Sequence, residues 1–158
     1  MADSLYDTDF VAWTEQQADL LRRQLAGERV NGLDWERILE ELEDLGKSET
    51  RAVASLLTQC MVHALKVARW PTHPAVGPWL NEAVTFLAQA RRRYLRSMAK
   101  DLDAAECFAD ARRTVLAMDH RSPPDPVPET SALSLAELLD NHADLAAAVR
   151  ALSRQPAG

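Results

Sequence analysis

Apolar residues recur at intervals of three and four along most of the chain, and β-branched residues never form a strand-like run. This spacing places apolar side chains on one face of an α-helix. The pattern therefore predicts an all-α fold, an elongated helical bundle of about five helices. The predicted helices cover about residues 9–25, 34–69, 78–98, 103–119 and 134–158.

The second predicted helix is the longest and contains Gly46. Asp34 is a good N-cap for its start, and Pro71 prevents it from continuing. A glycine inside a helix costs roughly 1 kcal/mol relative to alanine, and a glycine can also end a helix. However, the rows of residues spaced by seven keep their phase through Gly46. We therefore predict one unbroken central helix over about residues 34–69, with Gly46 as a point of close packing.

Prolines divide the chain near its C-terminal end. Four prolines fall between Pro123 and Pro128, so residues 122–133 are predicted to form an extended proline-rich linker. Residues 1–121 then form the core of the bundle, and a C-terminal helix over 134–158 packs on the same, single domain. Ser134 and Glu137 have the spacing of a capping box, which indicates where that helix begins.

The 158-residue chain is long enough for one domain with a hydrophobic core. Its formal charge of −6 disfavours a protein whose whole surface binds nucleic acid or anionic lipid. No apolar run approaches the length of a membrane span, and the N-terminal residues include acids where a secretion signal has basic residues. We therefore expect a cytoplasmic protein that does not bind membranes.

Cysteine and histidine are too sparse for a familiar metal site. Cys60 and Cys107 are too few for a disulfide framework or a thiolate zinc site. Cys60 and His63, one helical turn apart, supply only two of the four ligands that zinc usually has. None of the four histidines has an acidic residue three positions before it, which excludes the Glu-x-x-His motif of di-metal bundles. We expect no metal and no cofactor, and we assign no catalytic residue.

Four polar residues occupy apolar rows of the predicted helices. Gln17 lies on the first helix, Glu49 and His63 on the second, and Arg91 on the third. A buried carboxylate must find a partner or take up a proton, so these residues could form a polar site between helices. An enzyme or metal-binding protein built around Glu49 and His63 is therefore one hypothesis for the function.

The run from Arg91 to Lys100 carries five positive charges and no acid. Two explanations remain open for it. In a hairpin of the second and third helices, the run would lie near the acids Glu40, Glu43 and Asp44, which would neutralise it. Alternatively, the run binds phosphates, and nucleic-acid binding is a minor hypothesis for the function.

The first predicted helix covers only the early half of the second, up to about Arg51, and the third and fourth helices cover the later half. In the early half, an apolar strip of Ile38, Leu42 and Leu45 would stay exposed unless the C-terminal helix crossed to it or a second chain covered it. We therefore expect a homodimer through this strip. The leading hypothesis is a non-catalytic protein-interaction and self-association module, whose other protein partners the sequence does not identify.

Three segments carry a family resemblance. They are "YDTDFVAWTEQQADLLR" from Tyr6 to Arg22, "LDWERILEELEDLGKSETR" from Leu33 to Arg51, and "HALK", which contains His63 and Lys66. In their order and content they resemble the bacterial Domain of Unknown Function 29 proteins. The family usually has two leucines between that histidine and lysine, where Ala64 and Leu65 stand here. The resemblance implies an almost wholly helical bundle and no established activity.

Overall fold

The fold is given by a computed structural model, and the structure describes residues 4–154. No strand occurs among these residues, so the all-α prediction is confirmed. The chain forms more helices than the five expected. In order they are α1 (Leu5–Thr8), α2 (Phe10–Leu25), α3 (Trp35–Arg69), α4 (Val76–Arg93), a 3-10 turn (Arg96–Lys100), α5 (Ala104–Leu116), α6 (Leu135–Leu138) and α7 (Leu145–Leu152).

The long central helix is present as predicted. Asp34 caps its start, because the Asp34 carboxylate accepts a hydrogen bond from the Arg37 N–H at 3.2 Å. The helix is continuous through Gly46. The expected close packing at Gly46 is wrong, because a Cβ added there would meet no atom within 4 Å.

Contacts divide the chain into two compact units, Met1–Lys47 and Ser48–Gly158. The first unit contains α1, α2 and the beginning of α3. Asp9 separates α1 from α2 and caps α2 through a hydrogen bond from the Ala12 N–H at 3.0 Å. Trp13 is buried and contacts the Tyr6 ring edge to face at 4.9 Å. These contacts fold the short α1 back onto α2.

The second unit has a continuous hydrophobic core to which every helix from α3 to α7 contributes. Packing of α7 against α4 places the C-terminal segment on this core. The predicted C-terminal helix was assigned through residue 158, and its residues 155–158 lie outside the described part of the chain. Fully buried core side chains include Leu57, Met61, Leu65, Leu87, Phe108, Leu138 and Val149.

The third predicted helix ends earlier in the structure than the sequence pattern indicates. The third was expected to continue to Met98, but α4 ends at Arg93, and Tyr94 and Leu95 are extended. This extended step is followed by buried Met98 and Leu102, so core burial outweighs the helical pattern there.

The last predicted helix is divided into α6 and α7. Its start is as predicted, with the complete capping box of Ser134 and Glu137. Asp140 then accepts a hydrogen bond from the His142 N–H, and Asp144 caps α7 through the Ala147 N–H. These local side-chain bonds replace the helical bonds between the two pieces.

The proline-rich stretch between α5 and α6 is held against the second unit. Val127 and Pro128 are buried. Arg112 Nε donates to the Pro128 carbonyl at 3.1 Å, and the Asp125 N–H donates to the Arg69 carbonyl at 2.7 Å. Backbone groups of this extended stretch thereby have hydrogen-bond partners in α3 and α5.

None of the described helices is long and apolar enough to cross a membrane.

Candidate functional site

Gln17 is a buried polar residue of the first unit. Its Nε2 donates to the Gly32 carbonyl at 3.2 Å, and its Oε1 accepts from the Asp34 N–H at 2.9 Å. Gly32 has a φ of 95°, a conformation that glycine adopts without strain. The Gln17 amide therefore forms hydrogen bonds with the backbone of the tight loop that leads into α3. Both ends of the amide bond to backbone, which is typical of a structural role.

Arg91 is a buried cation of the second unit, only 6% exposed. Its Nε donates to the Leu138 carbonyl at 2.8 Å, and its Nη1 donates to the Ala143 carbonyl at 2.7 Å. Leu138 is the last residue of α6, where helical carbonyls lose their partners in the helix. Arg91 thus donates hydrogen bonds to carbonyls that the interruption between α6 and α7 leaves without a helical partner. Its Nη2 is buried and forms no hydrogen bond.

Glu49 is exposed, so its carboxylate is not buried within this chain. No hydrogen bond or ion pair among residues 4–154 joins two of the four residues of the predicted polar site, Gln17, Glu49, His63 and Arg91. The side chains expected to converge therefore each have surroundings of their own.

His63 lies on α3 and contacts Glu82 of α4. Its Nδ1 is 2.9 Å from Glu82 Oε2, although it lacks the geometry of a hydrogen bond, and its ring stacks on Phe86 at 5.7 Å. Burial lowers the pKa of the His63 imidazole, Glu82 raises it, and Lys66 lowers it further. Burial also lowers the pKa of Lys66, against the effect of Glu82. His63 and Lys66, the two residues of the "HALK" motif, thus respond to the same carboxylate.

A cluster of histidine and tryptophan rings lies where α3 ends and α4 begins. We call it the His–Trp cluster, and the sequence pattern did not predict it. His73 stacks on Trp79 at 4.7 Å, and His120 contacts Trp70 at 4.5 Å. Lys66 Nζ lies 4.5 Å from the centre of the Trp79 ring. The segment "WPTHPAVGPW" signals part of this cluster, but nothing local to His120 indicates its place there.

Cys60 and Cys107 are free thiols in buried positions. Burial raises the pKa of Cys60 to about 12, and the nearby Arg91 opposes this only in part. Burial also raises the pKa of Cys107. The thiolate is the reactive form of cysteine, and a raised pKa disfavours it, so both thiols are unreactive. Within residues 4–154, no three His, Cys, Asp or Glu side chains are grouped closely enough to hold a metal ion together.

The basic run from Arg91 to Lys100 is exposed apart from Arg91, Tyr94 and Met98. Its exposed cations Arg92, Arg93, Arg96 and Lys100 form no ion pair with any residue that the structure describes. Neutralisation of the run by the acids Glu40, Glu43 and Asp44 stays a prediction. Binding of nucleic acid by this run stays a prediction.

An open groove of about 600 Å³ lies between the start of α5 and the start of α6. Its lining includes Asp103, Thr130 and Ser134. Asp103 caps α5 through the Ala105 and Glu106 N–H groups, and Ser134 caps α6 through the Glu137 N–H, so some of the donors at both helix starts already have acceptors. The groove contains none of the four residues of the predicted polar site.

Large apolar side chains are exposed on α3 between Trp35 and Leu45. Trp35, Leu39, Leu42 and Leu45 are 59%, 58%, 63% and 65% exposed. We call these four residues the α3 stripe. Ile38, predicted as an interface residue together with Leu42 and Leu45, is half-buried beside the α3 stripe. Trp35 and Leu39 were not predicted, although the seven-residue spacing of Trp35 and Leu42 indicates that they share a face.

The stripe is uncovered because α1 contacts a different face of α3. The Arg37 guanidinium lies 4.1 Å from the centre of the Tyr6 ring and 3.6 Å from the Asp7 carboxylate. The Tyr6 hydroxyl donates to Glu41. Arg37 and Glu41 are one turn apart on one side of the helix, away from Trp35, Leu39 and Leu42. Within the first unit, the described residues therefore leave the stripe open to solvent.

Comparisons with known proteins agree with the helical architecture. The model of the family described as domain of unknown function DUF29 matches residues 5–143. The crystal structure of an alpha-helical protein of unknown function from Rhodospirillum rubrum is similar, with a TM-score of 0.62 and 27% sequence identity. That match covers 93% of this chain and 96% of the other. A search of curated proteins finds no match.

The family match spans all three segments that carry the resemblance in the sequence, and it continues through α6. The resemblance is thereby confirmed, and this chain belongs to the Domain of Unknown Function 29 family.

Proposed function

We propose that this chain is a helical self-association module, in which the α3 stripe of one copy binds the α3 stripe of a second copy. The observation that carries the proposal is the exposure of four large apolar side chains on one face of a single helix. Isolated apolar residues are normal at a protein surface, whereas a contiguous strip of them is typical of an interaction site.

The spacing of the stripe suits a second copy of the same helix. Trp35 and Leu42 are seven residues apart, and Leu39 lies between them at a distance of four and three. This arrangement is the apolar seam with which α-helices pair side by side. A twofold axis would place the same seam on both partners, which is the commonest symmetry of soluble oligomers.

The acids of α3 between Trp35 and Leu45 lie away from the centre of the seam. The exposed acids Glu36, Glu40 and Glu43 are set away from the seam centre, around the face opposite Leu42 or at the margin. A second copy on the stripe would therefore not bring these carboxylates together at the centre of the contact. Charges at such margins influence orientation more than affinity.

The expected dimer is of moderate strength. Burying a fully exposed leucine is worth roughly 1.5–3 kcal/mol. The stripe has four side chains per copy, each about three-fifths exposed. Two copies would gain roughly 7–14 kcal/mol from burying them, whereas association costs about 4–15 kcal/mol. We therefore expect a reversible dimer whose population depends on concentration.

Light scattering coupled to size-exclusion chromatography tests the proposal. The full chain should change from monomer to dimer as its concentration is raised through the micromolar range. The double variant Leu39→Glu/Leu42→Glu should remain monomeric, because it would place four carboxylates in the contact. Its circular dichroism and melting temperature should stay close to those of the monomeric wild-type chain, since both leucines are exposed.

Leu95→Glu is the matched control, because Leu95 is 62% exposed and lies outside α3. This variant changes an exposed leucine to the same acid and should dimerise like the wild type. A wild-type chain that stays monomeric at every concentration would refute the proposal. A double variant that still dimerises would show that another surface is responsible.

A further inference from the structure

We propose that His120 is the closing contact of an acid-sensitive clasp, which holds the chain segment 117–125 on the ends of α3 and α4 at neutral pH and releases it in mild acid. The clasp lies within the second unit and does not involve the α3 stripe. It is therefore independent of the proposed self-association.

His120 is the only described residue of its segment with a ring in the His–Trp cluster, and it contacts three other rings there. Its ring centre lies 4.5 Å from Trp70, 5.1 Å from Trp79 and 5.3 Å from His73. Trp70 and Trp79 are buried, so the cluster forms a firm surface against which the His120 ring packs. The contact thus attaches the segment after α5 to elements that precede it by about 40 to 50 residues.

Two cations of α3 lie against the tryptophans that His120 contacts. Lys66 lies over Trp79, and Arg69 lies 5.8 Å from the centre of the Trp70 ring. A proton on His120 would therefore add a positive charge beside others already present, and like charges disfavour the charged form.

Asp119 opposes this effect without cancelling it, because it precedes His120 and attracts its charged form. Glu82 of α4 acts on Lys66, where it favours the charged ammonium and so does not oppose the effect. The net direction is nevertheless clear, because burial, Lys66 and His73 together lower the pKa of His120. A histidine with a lowered pKa in the closed state favours that state above its ordinary pKa of about 6.5. This contribution is lost as the pH falls below that range.

The backbone around His120 shows what the contact restrains. Arg121 has a φ of 54°, which is uncommon for any residue other than glycine. Its N–H bonds to the Asp119 carboxylate at 2.9 Å. Farther along, the Asp125 N–H donates to the Arg69 carbonyl at 2.7 Å. Buried Val127 and the bond from Arg112 to Pro128 anchor the chain beyond it, so release is confined to the segment up to Asp125.

Hydrogen exchange of the Asp125 amide, measured by NMR on the full chain, tests the clasp. Protection is corrected for the intrinsic effect of pH on exchange. Between pH 7.5 and 5.5, we expect protection of this amide to fall by about five- to tenfold, because one histidine with an ordinary pKa of about 6.5 contributes at most about tenfold over this range. Amides in the middle of α5 should keep their protection. The fall should begin near the ordinary histidine pKa and level off where the His120 imidazole of the closed protein titrates, which its carbon chemical shift follows in the same samples.

Two variants separate His120 from the other histidines. His120→Phe keeps an aromatic ring without a titrating group, and protection at Asp125 should then change less than threefold over the same range. His142→Gln removes an exposed histidine outside the His–Trp cluster and should behave like the wild type. Constant protection in the wild type, or an equal loss in His120→Phe, would overturn the proposal. If His120→Phe fails to fold, a wild-type loss of protection that continues below the pH at which His120 titrates would overturn the proposal equally.

Discussion

At the scale of single residues, Arg91 shows how a buried charge can serve the backbone instead of a carboxylate. Its two hydrogen bonds end on Leu138 and Ala143, which follow it by 47 and 52 positions. Both acceptors are carbonyls at the interruption between α6 and α7. A buried carbonyl without a donor costs roughly 1–3 kcal/mol, so Arg91 is part of what makes that interruption tolerable.

The substitution Arg91→Met removes the donors while keeping most of the side-chain volume. We expect it to lower the free energy of unfolding by about 2–4 kcal/mol, because the buried carbonyl of Leu138 and the partly buried carbonyl of Ala143 lose their partners. Urea denaturation followed by circular dichroism measures the change.

The matched control for Arg91→Met is Arg92→Met, because Arg92 is exposed and forms no ion pair with the described residues. It should change stability by no more than about 0.5 kcal/mol. Equal effects of the two substitutions would mean that the carbonyl bonds of Arg91 contribute nothing net.

At the scale of elements, α3 combines a regular apolar pattern with a glycine in its interior. Gly46 has helical neighbours on both sides, and a Cβ there would meet no atom within 4 Å. The position therefore has room for a larger residue in this chain. The cost of glycine at this point is conformational, since it is freer than alanine in the unfolded chain.

We predict that Gly46→Ala stabilises the protein by about 0.5–1 kcal/mol, because alanine has the higher helix propensity. Thermal and urea unfolding should both show the gain. Gly27→Ala is the opposing control. It also adds a methyl group in open space, but its φ of 88° is unfavourable for alanine. It should destabilise by about 1 kcal/mol. A loss of stability in Gly46→Ala would restore the idea of close packing at Gly46.

At the scale of the whole molecule, the segment after the proline-rich stretch belongs to the core of the second unit. Leu138, Val149 and Leu152 are buried in the same cluster as Leu57 and Leu65 of α3. The prolines do not separate this segment from the rest, because Val127 and Pro128 are themselves buried on the way. The C-terminal helices therefore contribute to the stability of everything that they cover.

Leu138→Ala should lower the free energy of unfolding by about 2–5 kcal/mol, because Leu138 is fully buried and its removal leaves a cavity. Leu116→Ala makes the same change at a leucine that is 41% exposed, and it should cost about 1 kcal/mol or less. Urea denaturation compares the two. Similar costs would show that the C-terminal segment adds little to the core.

The sequence by itself determined the features that depend on neighbours along the chain. The helical class, the unbroken α3 and the capping box at Ser134 follow from spacing and local hydrogen bonds, which a sequence displays directly. The tertiary structure alone decided the end of α4, the carbonyl partners of Arg91 and the place of His120 among the tryptophans. These depend on groups tens of residues away, brought together only when the core closes, and no local pattern specifies such a contact.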